Sequence, residues 1–259
     1  MNAERCTAPI LVISLPQALA RRRLMQAQLE LPGMPPYRLI DGVDGKRLDR
    51  AELDDIYDDA AARHRMGRSL TPGEIGCAAS HLDVYRRMVA DAMGVAVILE
   101  DDALLGSQFL TVLERLLATV DPGRPQAILL SHVVRYSAWG GRRVDKIHSL
   151  YRPYEAYGAH AYLITIAGAR AMLAAFRRVA AVGDDWAQHM RAKIMDVHAL
   201  VPYLVGTSVL ATRSQIGERD ASPAHHPFVG WIRKYVWGKF VFQLAVKPAL
   251  RLRRQEQTW

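Results

Sequence analysis

The stretch "GVAVILEDDALL", residues 94–105, constrains this chain more than any other. Five consecutive apolar residues, Val95 to Leu99, are too few for a helix of ordinary length, and they lack the alternation of a strand with one wet face. They read as an interior strand of a sheet covered on both sides, the arrangement of α/β proteins. The strand runs directly into Glu100, Asp101 and Asp102, so its carboxyl end has to open towards water, a cation or a helix terminus.

The rest of the chain repeats the theme. Ile10 to Leu15 is a second β-branched run, followed by Pro16 and a helical stretch that stops at Pro32-Gly33. "YRLIDGVDG" predicts a short strand closing in a turn at Asp41 and Asp44, and residues 49–68 form a charged helical or mobile segment. Thr71, Pro72 and Glu74 stand at the cap, first-turn and capping-box positions of a helix over "IGCAASHLDVYRRMVADAM". A helix is expected over residues 104–120, strands at "AILLSHVV" and "AHAYLITI", then a helix at "AGARAMLAAFRRVAA", the loop "VGDDW" and another helix. Strands alternating with helices predict a single Rossmann-like, mostly parallel sheet with flanking helices, whose ligands bind beyond the carboxyl ends of the strands. The Gly-, Arg- and Tyr-rich stretch from Arg135 to Gly158 reads as loop that shapes the pocket.

Two chemistries fit the three carboxylates. Asp102 can cap the following helix while Glu100 and Asp101 complement its dipole, but one carboxylate suffices for that. Three in a row repel one another, and at a rigid strand end they suit a hard divalent cation, Mg²⁺ or Mn²⁺, that also takes substrate phosphates. No G-x-G-x-x-G follows the first strand, and neither a P-loop nor Cys/His zinc spacing occurs, which leaves hydride transfer and P-loop chemistry unsupported. A cation bridging to a diphosphate serves a nucleotide-sugar transferase, and such a reaction needs a base. Asp184 and Asp185 in "VGDDW" are candidates, with a helix N-cap as the competing role.

At this point several separated stretches resemble glycosyltransferase family 25, which includes bacterial lipooligosaccharide galactosyltransferases and collagen galactosyltransferases. They are "VISL" with Arg21 to Arg23, "IDGVDG", "LTPGEIGCAASH", "VILEDD", "GAHAYLITIAGARAML" and "VGDDW". The resemblance covers about residues 10 to 217 and implies a GT-A type fold with a UDP-sugar donor. It assigns Glu100, Asp101 and Asp102 to the metal and diphosphate site, with Asp102 and Glu100 as metal ligands. It also implies an inverting reaction with Asp184 as base and Asp185 beside it, although Val182-Gly183 replaces the family's usual Pro-Val. Ser14, Leu15, Arg22, Asp41, Glu74 and His81 join Glu100 and Asp101 as candidate donor-binding residues. Glu74 also has a capping role open to it, His81 a structural one, and Asp41 a turn role.

The formal charge is +8. From Gly230 onward seven basic residues face one acid, Glu256, so most of the excess sits at the end of the chain. "VGWIRKYVWGKFVFQLAVKPALRLRR" interleaves aromatic residues with cations at helical spacing, a pattern for a helix lying in an anionic membrane interface; a helix packed on the catalytic domain is the alternative. The expected organisation is a catalytic domain at residues 1–222 and a basic aromatic membrane-associating tail at 223–259. Two cysteines, no secretory leader and no long uncharged apolar run predict a reducing compartment, placing the chain in the cytoplasm on the inner face of the cytoplasmic membrane. The expected partners are a UDP-sugar and a lipid-linked glycan acceptor, not nucleic acid. The expected activity is metal-dependent transfer of a hexose, galactose from UDP-galactose in β linkage, onto a lipooligosaccharide or lipopolysaccharide core. A non-catalytic scaffold recruited by the tail is the second reading.

Overall fold

The computed structural model describes residues 8–208 and 247–256. The first strand, β1 (Ile10–Ser14), is buried along its whole length. Its side chains alternate between two cores: Leu11 and Ile13 face one, Ile10 and Val12 the other. β3 (Val95–Glu100) does the same, with Ala96 and Ile98 on the first side and Val97 and Leu99 on the second. Two covered faces are what the unbroken apolar runs require. α1 (Leu19–Leu29) and α5 (Phe109–Leu117) pack on the second core; α4 (Pro72–Ala90) and α6 (Ile166–Ala175) pack on the first.

α4 begins as its sequence dictates. Thr71 and Glu74 form a reciprocal capping box with Pro72 in the first turn. The charged segment at 49–68 is two short helices, α2 (Arg50–Ile56) and α3 (Asp59–Met66), capped by Asp49 and Asp58. The Asp58 amide donates to the Val179 carbonyl, and Arg178 pairs with the Asp58 carboxylate, so this segment is docked on the body of the protein.

The remaining elements are β2 (Tyr37–Asp41), β4 (Ala103–Leu105), β5 (Gln126–Leu129), β6 (Arg135–Arg143), β7 (Ser149–Glu155), β8 (Ala161–Thr165), α7 (Trp186–Arg191), β9 (Asp196–Val201), β10 (Val205–Thr207) and β11 (Leu252–Arg254). Nine of these strands form one sheet in the order β11-β6-β7-β9-β5-β8-β3-β1-β2. The expectation of an α/β sheet flanked by helices holds, but the sheet is mixed. β1–β2, β1–β3 and β5–β9 are parallel, and the other five pairings are antiparallel. One reason is β8, which runs antiparallel to both neighbours, β3 and β5. The other is the stretch from Arg135 to Gly158, which was expected as loop and instead contains the β6–β7 hairpin. Its residues lack apolar alternation, yet Tyr136 and Tyr151 pack across the hairpin with ring centroids 5.0 Å apart, the kind of cross-strand pair that stabilises an exposed ribbon.

Most of the basic tail expected at 223–259 lies outside the described residues. Its described portion is attached to the sheet: β11 pairs with β6, Leu252 is buried, and the Gln255 side chain bonds the Val133 amide and the Leu200 carbonyl. No helix among the described residues is long and apolar enough to cross a membrane.

Candidate active site

β1, β2 and β3 run parallel, so Ser14, Asp41 and Glu100 end at one edge of the sheet. The antiparallel β8 starts at that same edge: Ala161 pairs with Leu99, and the Glu100 amide donates to the His160 carbonyl. These ends surround an open cavity of about 410 Å³ whose wall includes Ser14, Leu15, Arg21, Lys46, Cys77, His81, Glu100, Asp101, Asp102 and His160.

The three carboxylates have separate environments. Asp101 is buried and committed, accepting from the Ser14 hydroxyl at 2.6 Å and from Arg21 Nη1 at 3.1 Å. Its charge therefore anchors Arg21 at the cavity wall. Glu100 faces the opposite way, with Oε1 3.3 Å from His81 Nε2 and Oε2 3.9 Å from His160 Nδ1. Burial pushes the Glu100 pKa up, but the hydrogen bond and charge of His81, with His160 and Arg21, outweigh it and hold the group below its ordinary value. Asp102 Oδ1 is shielded from solvent with no hydrogen-bond partner. Burial, together with the negative charge of Glu100, raises the Asp102 pKa.

His81 belongs to a buried chain. Its Nδ1 lies 2.7 Å from the Tyr162 hydroxyl, which lies 2.8 Å from the Tyr85 hydroxyl. Ionised Glu100 can only accept, so His81 Nε2–H donates to it; the direction between Nδ1 and Tyr162, and between the two tyrosines, follows from whether Nδ1 carries a proton. Both ring nitrogens are thus used, and His81 orients the carboxylate. Cys77 lies one helical turn earlier, Sγ 3.9 Å from Glu100 Oε1. Burial and the charges of Glu100, Asp184 and Asp102 push its thiol well up, so it is an unreactive wall residue.

The other candidates divide. Ser14 and Leu15 line the cavity. Arg22 and Asp41 do not: Arg22 bonds the Ser14 and Leu15 carbonyls and pairs with Asp41, tying the ends of β1 and β2 together beneath the wall. Glu74 is outside the wall too, held by both Arg68 guanidinium nitrogens at 2.7 and 2.8 Å and by the Thr71 cap, so the geometry favours its capping role. Asp185 caps α7, accepting from the Gln188 amide. Asp184 Oδ2 accepts from the Gly158 amide, and Trp186 Nε1 donates to the Gly158 carbonyl. Neither acid is in the cavity wall; they sit on a loop that clamps the turn carrying His160.

Sequence reasoning missed His160, Tyr162 and Tyr85. The two tyrosines carry no signal of their own in an apolar strand and a helix face. His160 was obscured because a parallel β8 would have put it at the far edge.

The result is a mixed α/β sheet with a carboxylate cluster at its strand ends, beside a cavity that also bears Arg21 and Lys46. The comparisons make the class specific. The model of glycosyltransferase family 25, an LPS biosynthesis protein family, matches residues 7–187, and the chain belongs to that family. The inactive glycosyltransferase 25 family member 3 of Homo sapiens is 31% identical over 173 residues, covering 64% of this chain and 28% of that protein. Procollagen galactosyltransferase 2 of Homo sapiens is 24% identical over 159 residues, covering 60% and 24%. The putative glycosyltransferase R655 of Acanthamoeba polyphaga mimivirus is 27% identical over 162 residues, covering 60% and 49%. The chain thus spans between a quarter and a half of the length of these relatives.

Proposed function

We propose that this chain is an inverting, divalent-metal-dependent glycosyltransferase of GT-A type. It moves a hexose, galactose from UDP-galactose, in β linkage to a hydroxyl of a lipid-linked glycan such as a lipooligosaccharide or lipopolysaccharide core. The observation that carries this reading is the split of the carboxylates: Asp101 is consumed by Ser14 and Arg21, while Glu100 and Asp102, whose Oδ1 has no hydrogen-bond partner, offer ligand atoms within 4.8 Å of each other. Those two residues fit a hard cation, Mn²⁺ or Mg²⁺. When bound, such a cation supplies Lewis acidity to the leaving diphosphate.

The chain's own residues do the rest. Arg21 and Lys46 offset the charge of the diphosphate, and Ser14 and Leu15 take the nucleoside side of the donor. His81 holds Glu100 ionised and oriented through its buried tyrosine chain. Asp184 accepts the proton of the acceptor hydroxyl as that oxygen attacks the anomeric carbon from the face opposite UDP, and the acceptor enters past Gly158 and His160. The basic segment beyond residue 223 places the enzyme on the inner face of the cytoplasmic membrane, where a lipid-linked acceptor resides.

The test is UDP release from UDP-galactose, UDP-glucose and UDP-N-acetylglucosamine with Mn²⁺ or with EDTA. Galactose-selective release abolished by EDTA is expected. Turnover in EDTA, or full activity of Asp102→Ala, would overturn the metal role. A second reading, a non-catalytic member recruited to membranes, draws on two relatives, the inactive glycosyltransferase 25 family member 3 of Homo sapiens and the probable inactive one of Bos taurus. It predicts no UDP release from any donor and no donor-dependent rise in Tm.

A further inference from the structure

We propose that His160 is the third protein ligand of the divalent cation, making the centre a mixed carboxylate–imidazole site selective for Mn²⁺ over Mg²⁺. This rests on the preceding reading that Glu100 and Asp102 hold a cation.

One donor atom from each of Glu100, Asp102 and His160 lies within 4.8 Å of the others. Two of these residues share an anomaly: Asp102 Oδ1 and His160 Nδ1 are both shielded from solvent, and neither has a hydrogen-bond partner. Their residues stand at the same edge of the sheet, where β3 ends and β8 begins. A buried polar atom without a partner is costly, and two converging on one carboxylate share a single remedy, a positively charged centre between them. The 3.9 Å between His160 Nδ1 and Glu100 Oε2 points the same way. It is too long for a hydrogen bond, but two donors about 2.1 Å from a common ion lie between about 3 and 4.2 Å apart.

Asp101 and His81 do not compete for this role. Asp101 is committed to Ser14 and Arg21. Both nitrogens of His81 are engaged, by Tyr162 and Glu100. The turn holding His160 is fixed from behind by Asp184 on the Gly158 amide and Trp186 on the Gly158 carbonyl, so the imidazole is presented to the cluster by a clamped backbone. An imidazole ligand favours Mn²⁺, Co²⁺ and Zn²⁺ over Mg²⁺, which prefers an all-oxygen shell.

Pulsed EPR of the full chain with Mn²⁺ and UDP tests this directly, beside titration calorimetry with Mn²⁺ and with Mg²⁺. Nitrogen modulation of the Mn²⁺ signal is expected in the wild type and lost in His160→Ala and His160→Gln. In both variants Mn²⁺ affinity falls on the order of 10- to 100-fold while Mg²⁺ affinity changes by less than about threefold. Circular dichroism melting of both variants checks that they are folded. Mn²⁺ binding that depends on Asp102 but shows no nitrogen coupling, or coupling that persists in both variants, overturns the assignment of His160 and leaves the metal-dependent reading standing. Absence of any Asp102-dependent Mn²⁺ binding in the wild type overturns both.

Discussion

Replacing Gly76 by alanine gives a sign-reversing test of how α4 meets the cavity wall. Gly76 lies in the first half of a 19-residue helix, where helix propensity alone makes Gly→Ala stabilising by about 1 kcal/mol. The packing predicts the opposite. A methyl there would sit 2.4 Å from the Val43 carbonyl oxygen and 2.6 Å from the Gly45 nitrogen, backbone atoms that no side-chain rotation can move. The contact is tight from both sides, since a methyl on Gly45 would lie 1.8 Å from the Pro72 carbonyl oxygen. The Val43–Gly45 loop would have to retreat by about 1 Å, an overpacking cost of about 1–3 kcal/mol. The move also stretches the 2.8 Å bond from the Val43 amide to Ser80 Oγ, a further loss of about 1 kcal/mol. Net of the propensity gain, the variant should be less stable by about 2 kcal/mol, a fall in Tm of about 4–8 °C for a domain of this size. Because Val43, Gly45 and Lys46 line the cavity, UDP affinity in the presence of Mn²⁺ should fall with it. Calorimetric melting and titration read both effects. A Tm raised by 2 °C or more would refute the close approach of α4 to this loop.

Four further outcomes follow from the same geometry. Tyr162→Phe removes the hydrogen-bond partner of both His81 Nδ1 and the Tyr85 hydroxyl, leaving buried groups unpaired; urea unfolding should show a loss of about 1–3 kcal/mol, and a neutral result would deny the chain. Asp145 sits in the β6–β7 turn, where burial raises its pKa but the His148 and Ile147 amides and the His148 ring outweigh that and hold it at about 2, against an ordinary 3.8. A depressed carboxyl contributes stability above about pH 4 that is lost as pH falls towards 2, so Asp145→Ala should cost about 1–2 kcal/mol at pH 7, discounted for solvent near the turn, and match the wild type near pH 2 in urea titrations. Asp185→Ala uncaps α7 and should cost about 1 kcal/mol of stability. Asp184→Asn should instead lower kcat by about 100-fold or more at nearly unchanged Tm; equal kcat losses in the two variants would remove the assignment of Asp184 as base.

What the sequence disclosed, and what it hid, divides along one physical line. Local signals were sufficient wherever a feature is decided within a few residues. The Thr71 capping box, the doubly buried β1 and β3, and the carboxylates at the end of β3 all stand as their residues dictate. Within the quoted motifs, "GEIGC" and "SH" put Cys77 and His81 one turn apart on α4, and "ILEDD" puts Glu100 at the end of β3; packing of the helix on the sheet then brings the three together. Strand direction is different, because it depends on pairing between residues far apart in the chain. "AYLIT" carries the same apolar pattern whether β8 runs parallel or antiparallel, and only the pairing of Ala161 with Leu99 reveals which. That single reversal moves the Gly158–His160 turn from the far edge of the sheet to the carboxylates, and with it the loop of Asp184 and Trp186 that clamps the turn. The hairpin was hidden for a related reason: its stability lies in cross-strand contacts such as Tyr136 with Tyr151, which leave no period in either strand alone. The three acids that first looked redundant are resolved by the same long-range contacts. Asp101 is turned inward by β1 and α1, through Ser14 and Arg21, while Glu100 and Asp102 are left facing a histidine that only the antiparallel strand could deliver.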